Sequence, residues 1–143
     1  MVIKSLKLKN FRNYDFLSIE FDHATNIFYG DNAQGKTNIL EAVYLTGTTK
    51  SHRGTKDRDL IQFGNEESHI ETVIEKDGIE FQVDMHLKKN SPKGIAINKI
   101  PIRKASELFW TCSSCIFLSG RSEHYQERTC RAEKIYGSGI VPA

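Results

Sequence analysis

Residues 30–37 combine the residue types that a protein needs to hold a chain of phosphates. They match the pattern G-x-x-x-x-G-K-[ST] with Gly30, Asp31, Asn32, Ala33, Gln34, Gly35, Lys36 and Thr37. The glycines let the backbone come close to the phosphates, and successive N–H groups at a helix start form an anion-binding concavity. Lys36 would supply positive charge to the β- and γ-phosphates, and the Thr37 hydroxyl would ligate Mg²⁺. The motif predicts a nucleotide ligand.

A phosphate loop works only between a strand and a helix, and the sequence predicts both. The apolar run over residues 26–29 predicts a buried strand before the loop. After the loop, apolar residues recur at helical spacing (Leu40, Val43 and Tyr44, with Ile39 and Ala42 widening the stripe), and Gly47 predicts the end of that helix. This context favours a phosphate loop over a glycine-rich turn that happens to carry Lys-Thr.

Alternation of apolar and polar residues predicts strands elsewhere in the chain. It indicates three hairpins: residues 2–9 with 16–21, residues 69–75 with 79–87 around Asp77-Gly78, and residues 95–97 with 100–102 around Asn98-Lys99. These elements indicate an α/β fold, with much antiparallel sheet around one phosphate-loop helix.

The segment between the helix and the second hairpin has a different character. Residues 47–58 are polar and contain Gly47 and Gly54, which predicts an exposed, mobile loop. Leu60, Ile61 and Phe63 are expected to return to the core. Residues 105–109 predict the start of a further helix.

Bulk composition sets limits on the function. The chain has 143 residues, which is the size of one domain, and 20 basic against 18 acidic residues give a net charge of +2. Any nucleic-acid surface must therefore be local. The basic cluster that could form one consists of Lys50, His52, Arg53, Lys56 and Arg58. With neither a membrane-length apolar run nor a signal-peptide core, we expect a soluble cytoplasmic protein.

Four blocks of sequence resemble the RecF family of bacterial DNA replication and repair ATPases, relatives of SMC and ABC heads. They are residues 10–14 (Asn-Phe-Arg-Asn-Tyr), the phosphate loop continuing through residue 42, residues 50–53 (Lys-Ser-His-Arg), and residues 59–61 with Gly64. The resemblance covers residues 1–109, an expected N-terminal ATP-binding segment. It implies the N-terminal half of an ABC/SMC-type P-loop ATPase head, with a mixed and antiparallel sheet around one P-loop helix.

The resemblance also implies roles for particular residues. ATP and Mg²⁺ would be bound by the phosphate loop together with Asn38, and Arg12 and Asn13 would lie near the nucleotide. Ordinary turn chemistry explains Arg12 and Asn13 equally well. The basic cluster would contact DNA or a nucleotide in an engaged dimer, although a solvated loop explains it equally well. The implied partners are single-stranded and gapped DNA, RecO and RecR, and a second copy in an ATP-dependent homodimer. The implied process is recombinational gap repair and the SOS response.

The last third of the chain departs from this pattern. From Trp110 onward the sequence loses periodicity, and Cys112 and Cys115 have the C-x-x-C spacing of a redox pair or half a zinc site. Reading the codons one base later gives another explanation. In that shifted frame the codons of residues 117–122 can encode Phe-Ser-Pro-Glu-Asp-Leu, and those of residues 130–135 can encode Ala-Glu-Arg-Lys-Arg-Phe. Both strings are similar to the sequence that follows this region in RecF proteins. We therefore expect residues 110–143 to be an aberrant, out-of-frame and poorly ordered tail, arising in the gene or from a sequencing error.

Binding of ATP does not by itself imply its hydrolysis. The resemblance implies a slow ATPase, but in RecF proteins the second Mg²⁺ motif and the dimer-signature motif lie far downstream of these 143 residues. Phosphoryl transfer needs Mg²⁺ and a positioned water as well as a phosphate cradle. We expect binding without appreciable hydrolysis. The alternatives are a generic SMC- or ABC-type head fragment, a small kinase, which the block at residues 50–53 argues against, and an inactive vestigial fragment.

Overall fold

The computed structural model describes residues 1–31, 35–104 and 107–108. Six strands form one antiparallel sheet in the order β2-β1-β3-β4-β5-β6. The strands are β1 (Val2–Phe11), β2 (Tyr14–Glu20), β3 (Glu67–Lys76), β4 (Ile79–Lys88), β5 (Ser91–Ile97) and β6 (Ile100–Ile102), and the helices are α1 (Lys36–Thr48) and α2 (Asp57–Leu60). Within the described ranges, no helix has the length and apolar character needed to cross a membrane.

The three predicted hairpins are confirmed, and two of them have the turn that their sequence requires. Asp77 and Gly78 have φ angles of 53° and 78°, and Asn98 and Lys99 have φ angles of 50° and 65°. Two consecutive residues with positive φ between antiparallel strands are typical of a type I′ turn, whose twist matches that of the strands. These turns fix the register of β3 on β4 and of β5 on β6.

The core lies between one face of the sheet and α1. The alternating inward residues of β1, β3 and β4 pack against a stripe of α1, and the cluster contains Leu6, Leu8, Ile39, Ala42, Leu45, Ile70, Met85 and Leu87. A buried contact of 3.2 Å between the hydroxyl oxygens of Thr46 and Thr72 also joins α1 to β3. The predicted helix is confirmed, but Leu40 lies at the edge of its buried stripe and is 39% exposed.

The predicted strand over residues 26–29 is wrong. The segment is not part of any strand among the described residues, and Ile27 and Tyr29 are 78% and 91% exposed. Instead, the Asn26 side chain closes a loop by accepting from the Asp22 N–H (2.8 Å) and donating to the Asp22 carbonyl (3.0 Å). Phe28 packs edge-on against Phe21. An apolar run becomes a strand only where a neighbouring strand satisfies its backbone groups, and the run alone does not specify that neighbour.

The exposed loop predicted for residues 47–58 is also partly wrong. Thr49, Ser51 and His52 are buried, and residues 57–60 form the short helix α2. Leu60 and Ile61 return to the core as predicted, whereas Phe63 is fully exposed. Ser51 is buried against the Glu41 carboxylate and His52 against the Tyr44 ring, contacts that composition does not reveal. The expected helix at residues 105–109 lies mostly outside the described residues, and the predicted tail at residues 110–143 lies wholly outside them.

Candidate nucleotide-binding site

The described part of the phosphate loop leads directly into α1. Gly35 is the N-cap residue of α1, with a φ of 91°, and no side chain caps the helix there. The first N–H groups of a helix lack intrahelical partners, and the first turn of α1 contains no acidic residue that would repel an anion. Asn32, Ala33 and Gln34 lie outside the described residues. The arrangement at Gly35 and Lys36 is therefore suited to an anion at the start of α1.

The Lys36 ammonium faces the preceding part of the loop. It donates to the carbonyl of Asp31 at 2.7 Å and also contacts the carbonyl of Gly30. Both acceptors are neutral and lie in an exposed segment. An anionic oxygen is a stronger acceptor for an ammonium than a carbonyl is. The loop therefore carries a cation that phosphate oxygens can engage, next to the exposed Thr37 at the first turn of α1.

The turn between β1 and β2 packs closely against Gly35. A Cβ at Gly35 would come within 2.5 Å of the Tyr14 hydroxyl oxygen and within 2.8 Å of both polar side-chain atoms of Asn13. Asn38 donates from its amide to the Asn13 Oδ1 at 2.8 Å, which fixes this turn to the first turn of α1. Asn13 thus lies beside the phosphate loop, as its predicted role requires. Its contact with a nucleotide stays a prediction.

Replacing Gly35 by alanine should strain the backbone at the start of α1. We expect Gly35→Ala to lower the free energy of unfolding by about 1–2 kcal/mol, because its φ of 91° lies in the left-handed region. The Asn13 and Tyr14 atoms nearest to the added Cβ are the ends of side chains, so we expect them to move aside at little cost. Gly64→Ala is the matched control, since Gly64 has a φ of 88° and open space around its Cβ position. Urea denaturation should give similar losses for the two variants, and a much larger loss in Gly35→Ala would show that Asn13 and Tyr14 cannot move aside.

A buried carboxylate on α1 organises the residues next to this turn. Glu41 is fully buried. Arg12 donates to it twice, from Nε to Oε2 at 3.0 Å and from Nη2 to Oε1 at 2.9 Å. The Ser51 hydroxyl donates to Oε1 at 2.5 Å. Burial opposes the ionised form of Glu41, but the hydrogen bonds from Arg12 and Ser51 outweigh it and hold the pKa of the carboxyl below its ordinary value. The site therefore contains an ionised, buried glutamate.

Glu41 lies in the RecF-like block that continues from the phosphate loop, but the sequence predicted no role for its side chain. The available signal is its position four residues before the buried Leu45, on the side of α1 where helical periodicity requires apolar residues. A charged residue at such a position needs a partner. Arg12 is that partner, contributed by the turn between β1 and β2, and it also donates to the Asp59 carbonyl at 3.0 Å and to the Thr55 hydroxyl at 3.2 Å.

The predicted basic cluster divides into exposed and buried members. Lys50, Arg53, Lys56 and Arg58 are exposed, as a contact with DNA or with a second chain would require. His52 is 8% exposed, and its ring packs edge-on against Tyr44 with a centroid distance of 5.7 Å. Lys93 of β5 also holds this segment, through an ion pair with Asp57 at 3.0 Å and a contact with the Thr49 carbonyl. For all five members of the cluster, a role in contacting DNA or a second chain stays a prediction.

His52 should make the stability depend on pH in the mildly acidic range. Burial holds its pKa below the ordinary value, although the nearby Glu41 carboxylate opposes this shift. The unfolded chain takes up a proton at His52 as the pH falls below about 6.5, whereas the folded chain resists doing so. We therefore expect the free energy of unfolding to fall with pH in this range. Urea denaturation across this range should show a smaller slope for His52→Gln than for the wild type. An unchanged slope in His52→Gln would contradict this.

Comparisons with known proteins identify the relatives of this chain. The family model described as the AAA domain matches residues 5–134. The DNA replication and repair protein RecF of Lachnoclostridium phytofermentans is 62% identical over 99% of this chain. The chain spans 42% of the length of that relative. The alignment thus continues past residue 109, where we expected the similarity to end. The out-of-frame origin of residues 110–143 stays a prediction.

Solved structures agree with these relatives. A structure of the recombination mediator protein RecF with ATP, from the RecFOR pathway, has a TM-score of 0.71 and 32% identity, covering 75% of this chain and 30% of that chain. The SMC head domain from Thermotoga maritima has a TM-score of 0.63 and 24% identity, covering 76% of this chain and 41% of that chain, which shows the shared fold alone. The chain therefore belongs to the AAA domain family, and its predicted resemblance to the RecF proteins is confirmed.

Proposed function

We propose that the chain binds ATP at the start of α1, as the nucleotide-binding segment of a RecF-type DNA replication and repair protein. The observation that carries this proposal is the start of α1, where no side chain caps the helix at Gly35 and the first turn contains no acidic residue. Lys36 adds positive charge there, and its ammonium contacts the neutral carbonyls of Gly30 and Asp31. The similarity to a RecF structure with ATP supports the choice of nucleotide.

Each residue of the site has a distinct part in this proposal. Lys36 would exchange its loop carbonyls for the β- and γ-phosphate oxygens of ATP. The backbone N–H groups from Gly35 onward would hold the remaining phosphate oxygens. Thr37 would hold Mg²⁺, which supplies charge neutralisation between the phosphates when it is bound. Asn13 and Asn38 would fix the turn against which the loop rests.

We infer the wider activity from the resemblance to RecF proteins. The protein would act on single-stranded and gapped DNA with RecO and RecR, in a homodimer that forms with ATP, in the cytoplasm, during gap repair and the SOS response. The exposed basic residues Lys50, Lys56 and Arg58 would make the DNA or dimer contacts, since guanidinium and ammonium groups bind phosphate without regard to base sequence.

The 143-residue chain should bind MgATP without turning it over appreciably. At an MgATP concentration of about 100 Kd, binding stabilises a folded protein by about 2.7 kcal/mol, so the thermal midpoint should rise by about 5–10 °C. Phosphate release should stay at the background level, because phosphoryl transfer needs a positioned water as well as the phosphate-binding groups proposed here. Thermal denaturation and a phosphate-release assay check this. An unchanged midpoint would overturn the proposed binding, and turnover that Lys36→Ala abolishes would overturn the second expectation.

A further inference from the structure

The buried Glu41 carboxylate has partners on two segments that flank the nucleotide site. Arg12 reaches it from the turn between β1 and β2, and Ser51 and Arg53 reach it from the loop after α1. Glu41 lies on the same helix as Lys36, little more than one turn farther along. A change at this carboxylate would therefore move groups on both flanks of the phosphate loop.

The two arginines that meet Glu41 are held very differently. Arg12 donates to both Glu41 oxygens, to the Asp59 carbonyl and to the Thr55 hydroxyl, all within 3.2 Å. Through those bonds the Arg12 guanidinium joins the turn between β1 and β2 to α1 and α2. Arg53 is held more weakly, with its Nη1 at 3.7 Å from the Glu41 Oε2 and at 3.4 Å from the Asn38 Oδ1. Its side chain is 36% exposed. Arg53 can therefore take up an added anion at little cost to the fold, whereas Arg12 cannot.

Arg53 also lies where such an anion would bind. Asn38 directly follows Thr37 in the first turn of α1, so the contact with Asn38 brings the Arg53 guanidinium to the phosphate end of the helix. A guanidinium presents a planar set of donors that matches phosphate oxygens. The Ser51 hydroxyl fixes the loop in this place, because it donates to Glu41 and accepts from the Arg53 N–H at 3.1 Å.

We propose that Glu41 is a positioning residue for nucleotide binding: it holds Ser51 and attracts Arg53, and so keeps the Arg53 guanidinium beside the phosphate end of α1. This inference rests on the proposed ATP binding. Under this proposal Glu41 contacts no phosphate and acts on the MgATP affinity only through Arg53. A purely structural role for Glu41 would instead act on affinity through the whole fold.

A double-mutant cycle on the 143-residue chain separates these two roles, with MgATP affinity measured by calorimetric titration. We expect Glu41→Gln to weaken MgATP binding about three- to tenfold, and Arg53→Ala to weaken it by a similar factor. In the double variant the loss should not exceed that of Arg53→Ala alone, because the positioned group is already absent. Losses that multiply in the double variant would overturn the proposal.

Ser51→Ala provides a second route if Glu41→Gln fails to fold. It removes the loop's hydroxyl bond to the carboxylate and leaves the pair between Glu41 and Arg12 in place. Its loss of MgATP affinity should likewise vanish in the Arg53→Ala background, and a loss that persists there would overturn the proposal. Absence of MgATP binding by the wild-type chain would overturn the proposed function, and with it this inference. Binding with independent losses would overturn this inference alone.

Discussion

Replacing Arg12 by alanine is expected to lower the free energy of unfolding by about 3–5 kcal/mol. Arg12 supplies two hydrogen bonds to a carboxylate that has no solvent exposure, and its removal would leave Glu41 buried with the Ser51 hydroxyl and the more distant Arg53. A buried charge without its main partner is far more costly than an exposed one. Urea denaturation monitored by circular dichroism measures the loss.

Arg58→Ala is the matched control for this prediction. Arg58 is also an arginine in an ion pair, at 3.6 Å from Asp59, but the side chains are 60% and 51% exposed. Exposed pairs of this kind contribute about 0–1 kcal/mol. A loss in Arg12→Ala as small as the loss in Arg58→Ala would contradict the view that Glu41 is an ionised group that Arg12 stabilises.

Replacing Lys36 by alanine is expected to weaken MgATP binding about ten- to hundredfold. The ammonium is the only side-chain cation in residues 30–37, and a hydrogen bond to a charged group contributes about 1.5–3 kcal/mol. The fold should be little affected, because the Lys36 contacts in the structure are to carbonyls of an exposed segment. Unchanged thermal stability without nucleotide would separate lost binding from lost folding.

Lys9→Ala is the control for Lys36→Ala. Lys9 is exposed on β1, and its replacement by alanine removes the same charge from the chain. If long-range attraction of the anionic nucleotide by net charge dominated, both variants would lose affinity equally. We expect Lys9→Ala to bind MgATP as the wild type does, because Lys9 lies outside the phosphate loop and water and salt weaken the field of an exposed charge.

Local sequence patterns predicted the parts of this fold whose causes are local. Alternating residues and two-residue turns with positive φ specify the hairpins β3–β4 and β5–β6, and the glycine and lysine of the phosphate loop specify the start of α1. The segment at residues 26–29 was mispredicted because pairing of a strand depends on a neighbour that the apolar run itself does not encode. Periodicity also placed Leu40 in the core, although the buried stripe of α1 is centred on Ala42 and Leu45.

The polar network around Glu41 could not be read from the sequence, because its members are far apart in the chain. Arg12, Glu41 and Ser51 come together only when the turn after β1 and the loop after α1 meet on the same side of the helix. The composition of residues 47–58 indicated solvent exposure, yet Ser51 is buried by its bond to that carboxylate. Polar residues can be buried wherever a distant charge needs donors.

Calorimetric titration of the 143-residue chain with MgATP, alongside Lys36→Ala and Lys9→Ala, tests the central claim most directly. We expect saturable binding at one site per chain in the wild type and in Lys9→Ala. In Lys36→Ala we expect an affinity about ten- to hundredfold weaker. Equal affinities in all three proteins, or no binding by a wild-type chain shown to be folded, would contradict an ATP site at the start of α1.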